Sequence, residues 1–243
     1  GWMTWATGAP VRIGFDDARE GAPLFYTHAV PSGGWWHQHA IGRYLHLACA
    51  LGCDMGPVEF QFAFDDADRA AVADMLGGVQ KYAVVIPGTN WATKRWPAEK
   101  FGQLVAPLKQ RLGLDTVICG GPDDLAAAKE IGGAINLVGR TTLRQTIALL
   151  ERADLVVAND SGPMHIASAL GRPLVALFGP TSPVLTGPYG RLETVVRLDL
   201  PCSPCFSRSC SHQSCLRWLE IEPVLRLAEE QMSRRHAAVA RLN

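Results

Sequence analysis

The amino-acid sequence predicts an open, mostly parallel α/β sheet over residues 79–200, covered by helices on both faces. Three observations predict it. Short apolar runs at 82–86, 116–119, 135–138, 155–158 and 174–178 alternate with stretches of helical periodicity. The runs stop at glycine, proline or polar clusters, as strands feeding turns do. They are apolar along their length rather than alternating, the pattern of strands buried on both sides.

The elements follow in order. Before Gly77-Gly78 the chain has a different character: strand-like pieces at 11–15 and 58–64 flank one long helical stretch at 39–51, preceded by a Pro/Gly/Trp-rich loop at 31–36. Residues 65–76 read as a helix with Asp65 or Asp66 as its N-cap. After the 82–86 strand, Pro97 sits where a first helical turn tolerates proline, and Phe101, Leu104, Val105, Leu108 and Leu112 follow at helical spacing. Pro107 is expected to kink or split that helix. The 116–119 strand is stopped by Gly120-Gly121-Pro122, and 123–131 reads as helical. Thr142 and Gln145 form a capping box for a helix with Leu143, Ile147 and Leu150 on its apolar face. Helix 163–170 lies between the last two strands, and 222–242 is a long helix with Leu225, Ala228, Met232 and Val239 on one face. Five strands alternating with four helices make a Rossmann-type sheet. The expected domains are 1–78, 79–220 and a C-terminal helix, 221–243.

Composition excludes several classes. The 243 residues are 48% hydrophobic and 19% charged, with 23 basic and 23 acidic residues, which rules out general disorder and a broad basic nucleic-acid surface. No apolar run is long enough to span a membrane. The opening Gly1-Trp2-Met3-Thr4-Trp5 is neither a usual start nor a signal, and reads as the interior of a longer gene product. Seven cysteines, an odd number, argue against a disulfide framework and for a reducing compartment.

Ligands of open α/β sheets bind beyond the carboxyl ends of strands. At the first such end, residues 87–97, Thr89 and Lys94 suit a phosphate; a solvated loop with two surface cations is the other reading. At the second, Asn159-Asp160-Ser161-Gly162-Pro163-Met164-His165 opens a helix, whose free N–H groups and dipole favour an anion at Ser161 and Gly162. Asp160 reads as a helix cap or an acceptor from a sugar hydroxyl. His165 reads as turned back toward a ligand; a capped helix with a satisfied histidine is the alternative. At the third, 178–183, Thr181 and Ser182 are candidate contacts in what is equally a structural loop.

Cys202, Cys205, Cys210 and Cys215 have one CxxC spacing, which leaves three readings: a zinc or iron site, a disulfide, or reduced structural thiols, the last favoured. His37 and His39 read as a loop leading into a helix. No G-x-S-x-G, Walker A or G-x-G-x-x-G motif is present, which counts against hydrolase, ATPase and dehydrogenase chemistry.

The pieces PGTNWATKRWPAEKF (87–101), LVVANDSGPMHIASALGRPLVALFGPTSP (155–183), TGPYG (186–190) and CSPCFSRSC (202–210), with RIGFDDAREGAPLFYTH (12–28) and HAIGRYLHLACALG (39–52) upstream, together resemble glycosyltransferase family 9, the bacterial lipopolysaccharide heptosyltransferases. The resemblance implies a GT-B arrangement of two Rossmann-like domains, with 1–78 the last part of the acceptor domain and 79–220 the donor domain. It implies an inverting transfer from a nucleotide sugar, ADP-heptose by type, to a lipopolysaccharide core. Another nucleotide-sugar transferase, or a non-catalytic nucleotide-binding fragment, are the alternatives. By resemblance Thr89, Asn90, Lys94, Asp160, Ser161, Gly162 and His165 bind the donor, Lys94 stabilises leaving-group charge, and Arg19 and Arg43 face an anionic acceptor. The general base is expected in a preceding segment that family members carry. No cofactor is required by the family chemistry, and no nucleic acid is a partner. The implied location is cytoplasmic, at the inner face of the inner membrane, with peripheral association allowed.

Overall fold

The structure is a computed structural model and describes residues 1–34, 37–54 and 56–240. Trp35 and Trp36 of the expected 31–36 loop, and Leu242 of the expected last helix, lie outside the described residues, as does the side chain of Val239. The chain forms two compact units, Gly1–Glu59 and Phe60–Asn243.

The first unit holds helix α1 (Trp2–Ala6), strands β1 (Ile13–Phe15) and β2 (His28–Val30), and helix α2 (Ala40–Ala50). The two strands pair in parallel, and Phe15 and Val30 make a small core with Ile13 and Leu47. The His39 ring nitrogen accepts from the Ile41 N–H at 3.2 Å, so His39 is the N-cap of α2.

The second unit begins with α3 (Asp66–Leu76), opened by a capping box between Asp65 and Asp68. Then follow β3 (Tyr82–Ile86), α4 (Ala98–Leu112), β4 (Asp115–Ile118), α5 (Leu125–Glu130), β5 (Ile135–Asn136), α6 (Leu143–Arg152), β6 (Leu155–Asn159), α7 (Gly162–Ala169), β7 (Leu174–Leu177), α8 (Pro183–Thr186), β8 (Val195–Val196), α9 (Ser214–Arg217) and α10 (Ile221–Ala240). The strands form one six-stranded sheet, order β5-β4-β3-β6-β7-β8, with every pair parallel. The chain starts at the centre and winds outward one way, then returns to the centre and winds the other way.

Alternation along each strand divides the core. Ala83 and Val85 of β3, Leu155 and Val157 of β6, and Val175 and Leu177 of β7 face a cluster that includes Phe101, Leu104 and Leu108 of α4 and Val224, Leu225 and Ala228 of α10. Val84, Ile86, Val156, Ala158, Leu174 and Ala176 face the opposite cluster, with Val72 of α3, Leu149 of α6 and Met164 of α7. Successive side chains of a strand point to opposite faces, so a sheet covered by helices on both sides must be apolar at every position.

Several expectations are corrected. Residues 58–64 form no strand, because no ladder partner lies beside them among the described residues. The compact units meet at 59/60, and the expected domain boundary is at Gly77-Gly78. Helix α3 packs on α6, where Arg69 pairs with Glu151 at 2.8 Å and Arg144 reaches Asp65 and Asp68 at 2.6 and 2.9 Å. Helix α10, Ile221–Ala240, packs on one face of the sheet, and residues 241–243 of the expected C-terminal helix lie outside the described residues. Pro107 neither splits α4 nor ends it; Gln103, whose carbonyl loses its partner, lies on an exposed turn where water serves. Pro97 is the N-cap of α4 rather than its first residue. Leu143 is 67% exposed, and α6 buries Thr146, Ile147, Ala148, Leu149 and Leu150 instead. The sheet has a sixth strand, β8, too short to announce itself by pattern.

Candidate functional site

Strand order reverses between β3 and β6, and the loops that leave their carboxyl ends part there to form a crevice. A cleft of about 780 Å³ occupies it, within the second unit. Its lining includes Thr89, Asn90, Lys94, Asp160, Ser161, Gly162 and His165, so all seven expected donor-side residues come together. Arg19, in the turn after β1, and Arg43, on α2, belong to the first unit.

The loops after β3 and β6 are tied to each other. Asn159, fully buried, donates its amide to the Pro87 carbonyl at 2.7 Å and accepts the Trp96 N–H at 3.1 Å. The Thr89 hydroxyl donates to the Asp160 carbonyl at 2.7 Å. Lys94 Nζ meets Asp160 Oδ2 at 3.0 Å, and the Thr181 hydroxyl from the loop after β7 donates to the same oxygen at 2.7 Å. The Lys94 and Asp160 side chains are 15% and 7% exposed, so the pair is shielded on the protein side and open toward the cleft. Asp160 is therefore not a helix cap; its Oδ2 holds Lys94, and the residue lines the cleft.

Ser161 is the N-cap of α7, yet its side chain makes no capping bond. Its Oγ is buried and without a hydrogen-bond partner in the structure. An unsatisfied buried hydroxyl is costly unless something comes to meet it. The first-turn N–H groups of a helix also lack intrahelical partners, so the start of α7 presents donors to the cleft.

The carboxyl end of β4, read from sequence only as a strand stop, contributes a wall. Asp124 Oδ2 accepts the Gly121 N–H at 2.9 Å, and a side chain at Gly88 or Gly120 would collide with that carboxylate. Cys119, Thr141 and Thr146 form a polar corner, with the two threonine hydroxyls 3.0 Å apart. Burial pushes the Cys119 thiol above its ordinary pKa, although hydrogen bonds from Thr141 and Thr146 oppose this. The signal that would have found this wall was the general one, that every βα loop on the carboxyl edge adjoins the crevice.

All seven cysteines are free. The Cys215 thiol is raised by burial and by the neighbouring Cys205, Cys202 and Cys210, so the four thiols share one neighbourhood. Among the described residues, no three of His, Cys, Asp or Glu are placed to hold a metal ion.

The model of glycosyltransferase family 9 (heptosyltransferase) matches residues 1–216. The chain belongs to glycosyltransferase family 9. One relative, lipopolysaccharide heptosyltransferase 1 of Pseudomonas aeruginosa, is 32% identical over 218 residues, covering 87% of this chain and 60% of that protein. Lipopolysaccharide heptosyltransferase 2 of Escherichia coli is 39% identical over 122 residues, 46% of this chain and 35% of that one. The family 9 chain thus spans about three fifths or less of these relatives' length. Among solved structures, a family 9 glycosyltransferase of Veillonella parvula superposes with a TM-score of 0.78 at 25% identity, over 96% of this chain and 70% of that one. E. coli heptosyltransferase WaaC with ADP gives 0.66 at 27% identity, over 91% and 66%. The fold of this family 9 chain is accordingly that of the GT-B heptosyltransferases.

Proposed function

We propose that the second unit binds the nucleotide-sugar donor of a glycosyl transfer, with ADP-heptose as the donor and a lipopolysaccharide core as the acceptor. The observation that carries the reading is the convergence of Lys94, the start of α7 and the unpartnered Ser161 hydroxyl on one cleft at the reversal of strand order. Cation, N–H groups and hydroxyl are the groups that hold a diphosphate. The family, and the related E. coli WaaC solved with ADP, support adenine as the base.

In the transfer, an acceptor hydroxyl loses its proton to a carboxylate and its oxygen attacks the anomeric carbon. The bond from that carbon to the diphosphate oxygen breaks with inversion, and the electron pair leaves with the nucleotide. Lys94 and the N–H groups of Ser161 and Gly162 stabilise the charge that grows there. Thr89 and Asn90 line the same cleft, as does His165, exposed one turn into α7, and all three contribute donor contacts in this reading. Arg19 and Arg43 serve the anionic acceptor from the first unit, the acceptor-side portion. The carboxylate base belongs to a segment of the family outside this chain's matching motifs. No cofactor enters the scheme. Among the described residues no helix is long and apolar enough to cross a membrane, which suits a peripheral enzyme at the cytoplasmic face of the inner membrane.

Calorimetric titration of this chain with ADP, UDP and GDP tests the reading. Binding of ADP, several-fold tighter than of the other two, is expected. No heat with any nucleoside diphosphate refutes it.

A further inference from the structure

A cation that the reading above leaves unused stands over Trp91, a residue of the cleft lining. The Arg208 guanidinium carbon lies 4.8 Å from the centroid of the Trp91 ring, and Lys94 Nζ lies 5.0 Å from the same centroid. Trp91, Lys94 and Phe206, two residues before Arg208, all line the cleft. One indole thus gathers cations from two segments far apart in sequence.

The segment that carries Arg208 has no regular structure between β8 and α9, yet it is held on both sides. On the side of the β3 loop, the Thr93 hydroxyl donates to the Ser207 carbonyl at 2.8 Å, and the Gln213 amide donates to the Ala92 carbonyl at 3.3 Å. On the side of the β7 loop, the Ser203 hydroxyl donates to the Gly179 carbonyl at 2.6 Å. There the N–H groups of Cys205 and Phe206 also share the Pro180 carbonyl, at 3.0 and 2.8 Å. The backbone on which Arg208 stands is therefore positioned by the same two loops that supply Lys94 and Thr181.

Charge balance gives Arg208 its role. Lys94 shares its charge with Asp160, so it offers an incoming anion less than a full positive charge. Arg95 spends its guanidinium on the Thr89 carbonyl, at 3.1 and 3.2 Å. For Arg208, among the described residues, the contact is the Trp91 ring, with no carboxylate paired to it. Stacking on an indole leaves the edge of a guanidinium, and its N–H fork, directed outward.

We propose that Arg208 is a second anion-binding residue of the cleft, contacting the diphosphate of the nucleotide-sugar donor from its platform on Trp91. The inference rests on the proposed function and extends it: Lys94 and Arg208 divide the charge of the diphosphate between them. A planar fork suits two phosphate oxygens at once, and stacking reduces the freedom lost when they bind.

The test titrates ADP and adenosine into this chain and into Arg208→Gln and Arg208→Lys, at low and moderate salt, with a thermal melt of each variant. For Arg208→Gln the expected result is ADP binding weakened about tenfold, the scale of one charged hydrogen bond near solvent, with adenosine binding unchanged. Arg208→Lys restores part of the loss, and the salt dependence of ADP binding becomes shallower in the Gln variant. Equal ADP affinity in wild type and Arg208→Gln overturns the inference while the proposed function stands; this includes the case in which only the acceptor's KM rises. Parallel weakening of ADP and adenosine overturns it too, because it marks Arg208 as scaffold. Failure of the wild-type chain to bind ADP removes the proposed function and this inference together.

Discussion

Replacing Lys94 by alanine isolates the central contact. At 3.0 Å and an effective dielectric constant of about 20, the attraction between Lys94 and Asp160 is roughly 5–6 kcal/mol before desolvation. Desolvation of two ions offsets most of it, so a coupling of about 1–3 kcal/mol is expected from a double-mutant cycle with Asp160→Asn. The single Lys94→Ala change leaves the Asp160 carboxylate with Thr181 as its remaining side-chain partner, at 2.7 Å, so stability falls measurably. Asp160→Asn removes that buried charge, and the double variant recovers part of the loss. The catalytic cost is separate. If Lys94 acts like a donor aimed at developing negative charge, its loss removes about 2.7–4 kcal/mol of transition-state stabilisation. Turnover of an active form carrying the substitution then falls by about 10²–10³-fold. The assay pairs nucleotide release under donor saturation with ADP calorimetry and a thermal melt of each variant. Unchanged turnover together with unchanged ADP affinity refutes the reasoning, because it takes Lys94 out of the diphosphate site.

Three further outcomes are expected. Gly88→Ala drives its new methyl into the Asp124 carboxylate, which gives up the Gly121 N–H; stability falls by about 0.5–2 kcal/mol in denaturant melts and ADP binding weakens. The hydrogen bonds of Asp65 to the Asp68 backbone and of Glu151 to Arg69 hold both carboxyls below their ordinary values, so they stabilise the fold above the unfolded carboxylate range, near about 4, and this contribution is lost as pH falls through their folded values. The melting temperature should hold between pH 7 and pH 5 and drop below about 4, less steeply in Arg69→Ala. Exposed Cys53, Cys202 and Cys205 should alkylate first and buried Cys119 last by mass spectrometry, and prolonged chelator treatment should leave ADP affinity unchanged.

Much of this molecule was legible in residues 79–200, because burial of both sheet faces leaves a plain mark: Tyr82–Ile86 and Leu155–Asn159 are buried at every position and end in polar turns. Capping boxes at Asp65 and Thr142 were equally local and equally readable. The boundary between units was less so, since it depends on Arg69 and Arg144 reaching across to other helices, and no pattern within 58–78 records that.

The sequence by itself determined the parallel α/β class and the three strand ends that border the cleft, with Thr89, Lys94, Asp160, Ser161, Gly162, His165 and Thr181 on them, because periodicity, capping and strand-end composition act over a few neighbouring positions; Asn90 came from the family resemblance. Tertiary structure alone decided that Asp160 partners Lys94, that Asp124 fills the space beside Gly88, and that Arg208 stacks on Trp91. Each of these pairs joins side chains from different loops, and their meeting follows from the winding of six strands about a central reversal, which no local interaction encodes.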